Sequence, residues 1–417
     1  MCSTDQSYKN LYCFWNLTSV RVTPMKLERW KVIAAGICSL ILTVGLARFS
    51  YTPLLPIMRD QAGLSAFDGG WLATVNYIGY ISGALLASTL SNLNYKYLLY
   101  RFGLIVAVLS TIGMGLTTDV NLWVFLRFIS GVSSTAGMLI ASGLIMNWLA
   151  RQNLKTELGL HFAGAGMGLV LSGLAVMAMV DHLAWNQQWW VLGVVGILFF
   201  VPAWIWMPKP AKAGSTEAQV ADVPPPSAKW MRLMLGAYFC AGFGYVISAT
   251  FIVAIAETLP ELQGKGPWVW VVVGLAAIPS SFVWDRVARV TGVFEALVLA
   301  YLLQIISIVM AALIDGYWAN MISAVLFGGT FAGIVNLTLS IAGRQFPANP
   351  SKAMARMTLS YGVSQIAAPA LAGLIAERTG TYRGSLYLAA VLMVAGVFMV
   401  WELKKQTDSD NLAKAAV

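Results

Sequence analysis

Arg48 and Arg127 each stand inside an apolar run of this 417-residue chain. Arg48 belongs to GLARFSYTPLLP, Gly45 to Pro56. It lies about ten residues from the outer end of its run, so roughly 15 Å deep if the run is a helix crossing a bilayer. An arginine near mid-bilayer costs at least about 2.5–3.5 kcal/mol on insertion scales, and such residues face a watery cavity or a partner. Tyr51 and Thr52 follow at i+3 and i+4, on the same helical face. Pro53 and Pro56 then free backbone carbonyls and bend the helix. A planar guanidinium holds a carboxylate or phosphate through two parallel hydrogen bonds. The competing reading is a structural arginine bonded to carbonyls of neighbouring helices. Arg127 sits about six residues from the outer end of its own run, hence in the same outer half. Ser130, Gly131 and Ser134 continue its face. It too reads either as part of a site or as an arginine that fixes the helices.

The missing acids sharpen the question. Asp60, Asp68, Asp119, Asp181, Glu257, Asp315 and Glu377 fall at or beyond the outer boundary, and Glu157, Asp285 and Glu295 near the inner one. Two buried arginines without a buried acid make a positive cavity, which an anionic substrate would complete. Weaker polar candidates are Asn76, Tyr77, Tyr80, Tyr245, Asn336, Tyr361 and Gln365, with Tyr361 and Gln365 one turn apart. Each reads equally as packing or as an interhelical hydrogen bond. His161 titrates near neutral pH when free, but at a helix end it reads first as a polar interface residue. The GAGMG of Gly164 to Gly168 has no preceding strand and reads as close helix packing, not a nucleotide loop.

These residues need membrane helices to position them. The chain is 58% hydrophobic and 11% charged, against about a quarter charged in soluble proteins. Runs of about 20 apolar residues recur, each enough to cross a bilayer, and lipid obliges such spans to be helical. Twelve are expected, at 30–58, 68–90, 96–117, 121–149, 156–180, 187–207, 230–258, 267–285, 292–314, 317–344, 353–376 and 384–403. They define a tail at 1–29, a six-helix bundle at 30–208, a polar Pro/Ala-rich linker at 209–229, a second bundle at 230–405 and a tail at 406–417. Residues 1–24 read as disordered, ahead of a natural start at Met25.

With both tails and the linker cytoplasmic, only Arg59, Lys265, Arg378 and Arg383 of the 27 Lys and Arg fall outside. Arg48 and Arg127 lie within helices and all the rest are inside, which satisfies the positive-inside rule. The membrane thus accounts for the net charge of +9, and no nucleic-acid partner is expected. Cys2, Cys13, Cys38 and Cys240 have neither metal-ligand nor disulfide spacing. No metal or other cofactor is expected.

The halves echo each other. Phe49-Ser50-Tyr51 recurs as Phe243-Gly244-Tyr245, Gly131 as Gly328, and Gly164 as Gly362, at offsets of 194, 197 and 198. Two parallel halves with a site between them are an alternating-access design. The arrangement resembles the major facilitator superfamily. SFVWDRVARV, Ser281 to Val290, resembles its loop signature G-x-L-x-D-R-x-G-R-R, with Asp285, Arg286 and Arg289 on the charged positions. RFISGVSS, Arg127 to Ser134, resembles its fourth-helix pattern R-x-x-x-G-x-G/S. RFSYTPLLPIM with FAGAGMGLVLSGL is similar to the YbfB/YjiJ-type branch, and the resemblance covers residues 30–405.

The resemblance implies an all-α fold of two pseudo-symmetric six-helix bundles whose first helix lines a central cavity. It implies a role in proton coupling for Arg127 and a cytoplasmic gate in which Asp285 pairs with Arg286, Arg289 or Arg344. In the first half, Ala87 and Ser88 stand where Asp and Arg are expected, so the charged latch belongs to the second half. The expected substrate contacts are Arg48, Tyr51, Thr52, Arg127, Asn76, Tyr80, Tyr245, Asn336, Tyr361 and Gln365. The expected function is secondary active transport of a small organic solute, anionic by the charge argument, with proton coupling or exchange. An efflux pump for amphiphilic or drug-like compounds is an alternative, since 18 Met and 18 Phe make an adaptable pocket. A non-transporting membrane receptor or scaffold is another. No nucleophile, metal cluster or acid pair marks an enzyme. The expected setting is the cell inner (plasma) membrane, multi-pass, as a monomer whose partners are its substrate, the lipid bilayer and a proton.

Overall fold

The computed structural model describes residues 27–152, 154, 158–210, 226–346 and 350–415. Most of the expected tail and linker, and Glu157, lie outside them. Among the described residues twelve long helices run in order: α1 Leu27–Ala62, α2 Ala66–Thr89, α3 Leu93–Met114, α4 Val120–Arg151, α5 Gly159–Met179, α6 Trp185–Trp206, α7 Ala228–Glu257, α8 Gly266–Thr291, α9 Val293–Leu313, α10 Tyr317–Gln345, α11 Pro350–Thr379 and α12 Arg383–Ala415. Eleven are long and apolar enough to cross a membrane. The exception is α2, which carries Asn76, Tyr77 and Tyr80 on its inward face and Asp68 in its first turn.

Local chemistry sets the ends. Ser65, Asn92, Asp119 and Ser227 each accept a backbone N–H at the start of α2, α3, α4 and α7, which satisfies one of the orphan donors there. Gly63 closes α1 in the left-handed conformation, at φ 69°. Two boundaries differ from expectation. The signature at Ser281 to Val290 is the last part of α8 and not a loop, because the first conformational break is Gly292, at φ 100°. The expected tail from 406 continues α12 to Ala415, since nothing between Lys404 and Ala415 is Gly or Pro.

Four helices carry long exposed apolar stripes on the lipid-facing surface. Tyr95, Leu98, Phe102, Ile105 and Leu109 form one exposed stripe on α3. Val191, Val194, Leu198, Val201 and Ile205 do so on α6, Leu299, Leu302 and Ile306 on α9, and Tyr387, Val391, Val394, Phe398 and Trp401 on α12. A surface helix in water would be polar there; in a bilayer this is the side that meets acyl chains. The four occupy every third position, as two repeated halves require.

Inside, α2 packs on α4 and α8 on α10, the same pair in each half. The halves meet through α2 with α11 and α5 with α8, a pairing that exchange of the halves leaves unchanged. The recurring glycine explains one contact. A Cβ at Gly131 would lie 2.0 Å from the Asn76 carbonyl oxygen, and one at Gly328 would lie 2.2 Å from that of Val273. Gly131→Val and Gly328→Val are each expected to cost about 1–3 kcal/mol or more from overpacking, read as a lower thermal midpoint. Gly143→Ala and Gly329→Ala, where a Cβ meets nothing within 4 Å, should be neutral or gain about 0.5–1 kcal/mol. Equal effects at both pairs would refute the close-crossing account.

Below, the linker end is the end at which α6 leads to α7, and the distal end is the opposite one. Every hydrogen bond between the halves among the described residues lies in the distal half. Thr52 donates to the Ala249 carbonyl at 2.7 Å, Thr74 to that of Ile366 at 2.9 Å, and Trp270 Nε1 to Ser172 Oγ at 3.2 Å. Glu377 accepts the Ala66 and Phe67 N–H groups at the start of α2, and Arg59 donates to the Tyr382 hydroxyl. The halves are fastened distally and, among the described residues, hold no such bond at the linker end.

Candidate functional site

The site begins with an irregularity in α1. Ile41–Phe49 is wound as a π-helix, a form found mostly as short bulges at functional sites. Pro53 supplies the local reason. It stands four residues after Phe49 and five after Arg48 and has no N–H to offer either carbonyl. α4 provides partners for this stretch. Arg127 Nη1 donates to the Arg48 carbonyl at 3.2 Å, Ser130 to that of Ala47 at 2.8 Å, and Ser134 to that of Thr43 at 3.2 Å. These three residues share one face of α4, at i, i+3 and i+7. Gly137 lets the chains approach, since a Cβ there would lie 2.3 Å from Thr43 Oγ1. Arg127 is therefore engaged with backbone. Its Nε also reaches the Leu72 carbonyl at 3.5 Å, and its guanidinium lies 4.4 Å from the centre of the Tyr51 ring.

Arg48 is held differently. Its side chain is only 6% exposed, yet no described residue accepts a hydrogen bond from it, and its Nε is buried without a partner. Its guanidinium carbon lies over the rings of Tyr77, Tyr80 and Phe49, at 4.4, 4.6 and 5.2 Å from their centres. Cation–π contact of this kind holds the cation and leaves its N–H groups free. They open on a small cavity of about 10 Å³, lined by Arg48, Phe49, Tyr51, Thr52, Ala73, Asn76, Tyr77 and Arg127 from the first half and Ala249 and Thr250 from the second. No lining residue is acidic.

Most other hydroxyls and amides in the lining are already engaged. Tyr51 donates to the Gly69 carbonyl at 2.8 Å, Thr52 to Ala249 as above, and Asn76 Nδ2 to the Arg127 carbonyl at 2.8 Å. Tyr51 and Thr52 thus frame the cavity. Asn76 Oδ1, like Arg48 Nε, is buried without a partner.

The second half holds a packed aromatic cluster that does not line the cavity. Tyr245 stacks with Tyr361 at 5.8 Å and Phe327 at 6.1 Å, and lies tilted on Phe331 at 5.3 Å. Tyr361 in turn meets Tyr238 at 4.4 Å. Gln365 is buried one turn beyond Tyr361. Tyr238 is absent from the sequence-based candidates, although it stands seven residues before Tyr245 and so on the same face. Ala249 and Thr250 give no signal in the sequence, because they enter through the crossing of α1 and α7.

Two expectations are corrected. Asn336 does not reach the cavity; its Nδ2 donates to Asp285 Oδ1 at 2.8 Å, near the linker end. Asp285 forms no ion pair with Arg286, Arg289 or Arg344 among the described residues, and all four are exposed. Asp285 takes the donor that neighbouring α10 offers, and in water an exposed ion pair gains little over that. His161 lies inside the first half, buried, sharing a 3.1 Å hydrogen bond with Ser142.

Arg48 thus stands between two helical halves with no acidic residue in the lining around it. The chain belongs to the family described as "Uncharacterised MFS-type transporter YbfB", which matches residues 40–400. An uncharacterised MFS-type transporter of Yersinia pestis (strain Pestoides F) is 22% identical over 91% of this chain and 97% of its own length. YceJ of Bacillus subtilis, also an uncharacterised MFS-type transporter, is 24% identical over 64% of this chain and 69% of itself. The 4-hydroxybenzoate transporter PcaK of Pseudomonas putida is 25% identical over 45% of this chain, a match spanning 42% of that protein. Among solved structures, the nucleoside transporter NupG superposes with a TM-score of 0.70 at 10% identity, covering 91% of this chain and 99% of NupG. A bacterial homologue of the lysosomal transporter Spinster, inward-facing and occupied, gives 0.64 at 14% identity, covering 90% and 96%. The fold is that of these transporters, and such proteins are not enzymes.

Proposed function

We propose that the protein is a secondary active transporter of a small organic anion, with Arg48 as the anchor for its negative group. The observation that carries this is the buried Arg48 guanidinium, which has ring faces around it and no acceptor from the described residues. Burying an unpaired charge is costly, and a bound carboxylate offsets that cost through a bidentate pair. The cavity straddles the halves, so occupancy can be coupled to their rocking. The relative named for transport of 4-hydroxybenzoate, itself a carboxylate, supports an anion.

In this reading the distal bonds seal the outer side and the cavity opens toward the linker, which lies in the cytoplasm with both termini. The protein resides in the inner membrane. Movement is driven by exchange or by proton coupling. Uptake by proteoliposomes tests the proposal. Labelled organic carboxylates should accumulate in response to an opposing anion or a proton gradient, while neutral sugars should not. Uptake of neutral solutes alone would overturn it.

A further inference from the structure

One carboxylate at the seam between α2 and α11 is out of place in its own helix. We infer that Glu377 is the latch of the distal gate. Its carboxylate caps the start of α2 across the seam, and the transport cycle releases that cap each time the distal side opens. The inference rests on the reading of the chain as an alternating-access transporter and adds the residue that keeps the distal side shut at rest.

Glu377 stands in the last turn of α11. A helix C-terminus carries partial negative charge, so a base is favoured there and an acid is not. Arg378, the next residue, obeys that rule. Glu377 does not, and it forms no ion pair among the described residues. Its carboxylate reaches into the opposite half instead. Oε2 accepts the Ala66 N–H at 3.1 Å and the Phe67 N–H at 3.2 Å. These are the first two residues of α2, at the positive end of that helix's dipole. The charge that α11 disfavours is the one that α2 favours.

The first N–H groups of a helix have no partner within it. In α2 they are shared between the halves. Ser65 Oγ, from the first half, accepts the Asp68 N–H at 2.9 Å. The Ala66 and Phe67 N–H groups are met by Glu377 from the second half. Ser65 keeps its bond whatever the halves do, whereas the Glu377 bonds exist only while the distal side is closed. The charged groups nearby are engaged elsewhere. Asp68 accepts from Ser65 Oγ at 2.7 Å, Arg59 donates to the Tyr382 hydroxyl, and Arg383 pairs with Asp315.

Deeper in the seam the same two helices are jointed. A Cβ at Gly70 would lie 2.3 Å from the Pro369 carbonyl oxygen, and one at Gly373 would lie 2.7 Å from that of Ala66. The close crossing brings the end of α11 onto the start of α2. Thr74, one turn beyond Gly70, donates to the Ile366 carbonyl at 2.9 Å and accepts the Ala370 N–H at 3.0 Å. It thus stands between the acceptor and the donor of one helical turn, beside Pro369. A proline and an inserted side chain are both places where a helix bends. Thr74 is buried and Glu377 is exposed. A contact at the exposed rim can break and re-form without unpacking the joint beneath it.

Hydrogen exchange followed by mass spectrometry on the full-length protein in lipid nanodiscs reads the gate away from the latch itself. In Glu377→Ala, the buried distal segment of α7 at 248–256 should exchange about tenfold faster, the weight of one hydrogen bond to a charged group. The linker-end segments at 281–290 and 336–345 should slow, because opening one end of a rocking pair closes the other. Glu377→Gln keeps an acceptor oxygen without the charge and should fall between Glu377→Ala and wild type. Ser65→Ala is the control for fraying. It removes a cap on the same helix start and should loosen only the first turns of α2. Wild-type exchange at 248–256 in both Glu377 variants would overturn the inference. So would a Ser65→Ala protein that opens α7 as far as Glu377→Ala does. Distal loosening with no slowing at the linker end would overturn the alternating-access reading and leave Glu377 as a static fastener. If Glu377→Ala does not fold, Glu377→Gln decides.

Discussion

Arg48→Met is expected to remain folded and to lose its response to anions altogether. A buried cation with no hydrogen bond to the described residues contributes little to folding and carries a desolvation cost. Removing it forfeits cation–π contacts worth about 0.5–2 kcal/mol and relieves that cost, so the thermal midpoint should hold or rise slightly. Methionine keeps the length of the side chain and packs against Tyr77, Tyr80 and Phe49. Arg48→Lys keeps the charge but loses the planar fork, so binding should weaken without vanishing. The measurement is the thermal midpoint with and without benzoate, alongside uptake by vesicles. A well-folded Arg48→Met protein that still binds carboxylates with wild-type affinity would sink both the anchor and the transport reading built on it.

The twelve-helix plan is legible because lipid allows apolar spans only one regular form, so composition and length suffice. Arg48 is legible for the same reason, as a charge at a depth where charges need an explanation. What the sequence does not disclose is which polar groups are already satisfied. Thr52 and Ala249 are 197 residues apart, and their hydrogen bond depends on how the halves meet. Arg127 and Arg48 look alike in the sequence, and their difference arises from the π-helical turn, which turns carbonyls toward α4. Asn336 shows the converse. Its helix is plain in the sequence, but its position along α10 places it near the linker end beside Asp285.

The gate shows the same limit. The charged signature draws attention to the linker end, where Asp285, Arg286, Arg289 and Arg344 stand exposed. The bonds that hold the halves together lie at the other end and use a carboxylate on a helix start, two threonines and a tyrosine. Apart from Thr52, which lies in RFSYTPLLPIM, none of these belongs to a motif. Each is a tertiary contact between groups that are ordinary in the sequence, and such contacts decide which end of a rocking pair is shut.

Arg127→Met should have the opposite phenotype to Arg48→Met and damage the fold itself. It would remove donors from the carbonyls of Arg48 and Leu72, and Pro53 cannot replace the donor to Arg48. Hydrogen bonds to charged groups contribute about 1.5–3 kcal/mol each, although pairs measured in membranes average nearer about 0.6 kcal/mol. A loss of about 1–4 kcal/mol follows, visible as lower yield and a clearly lower thermal midpoint in the absence of any ligand. Anion binding should fall as well, because the turn that carries Arg48 would lose its clamp. Arg127→Lys can reach one carbonyl at most and should fall between. Ser130→Ala, which removes the neighbouring bond to Ala47, should cost less alone and be less than additive with Arg127→Met, since both act on one turn. An Arg127→Met protein with a wild-type midpoint that fails only in binding would reverse the assignment, making Arg127 a ligand-contacting residue.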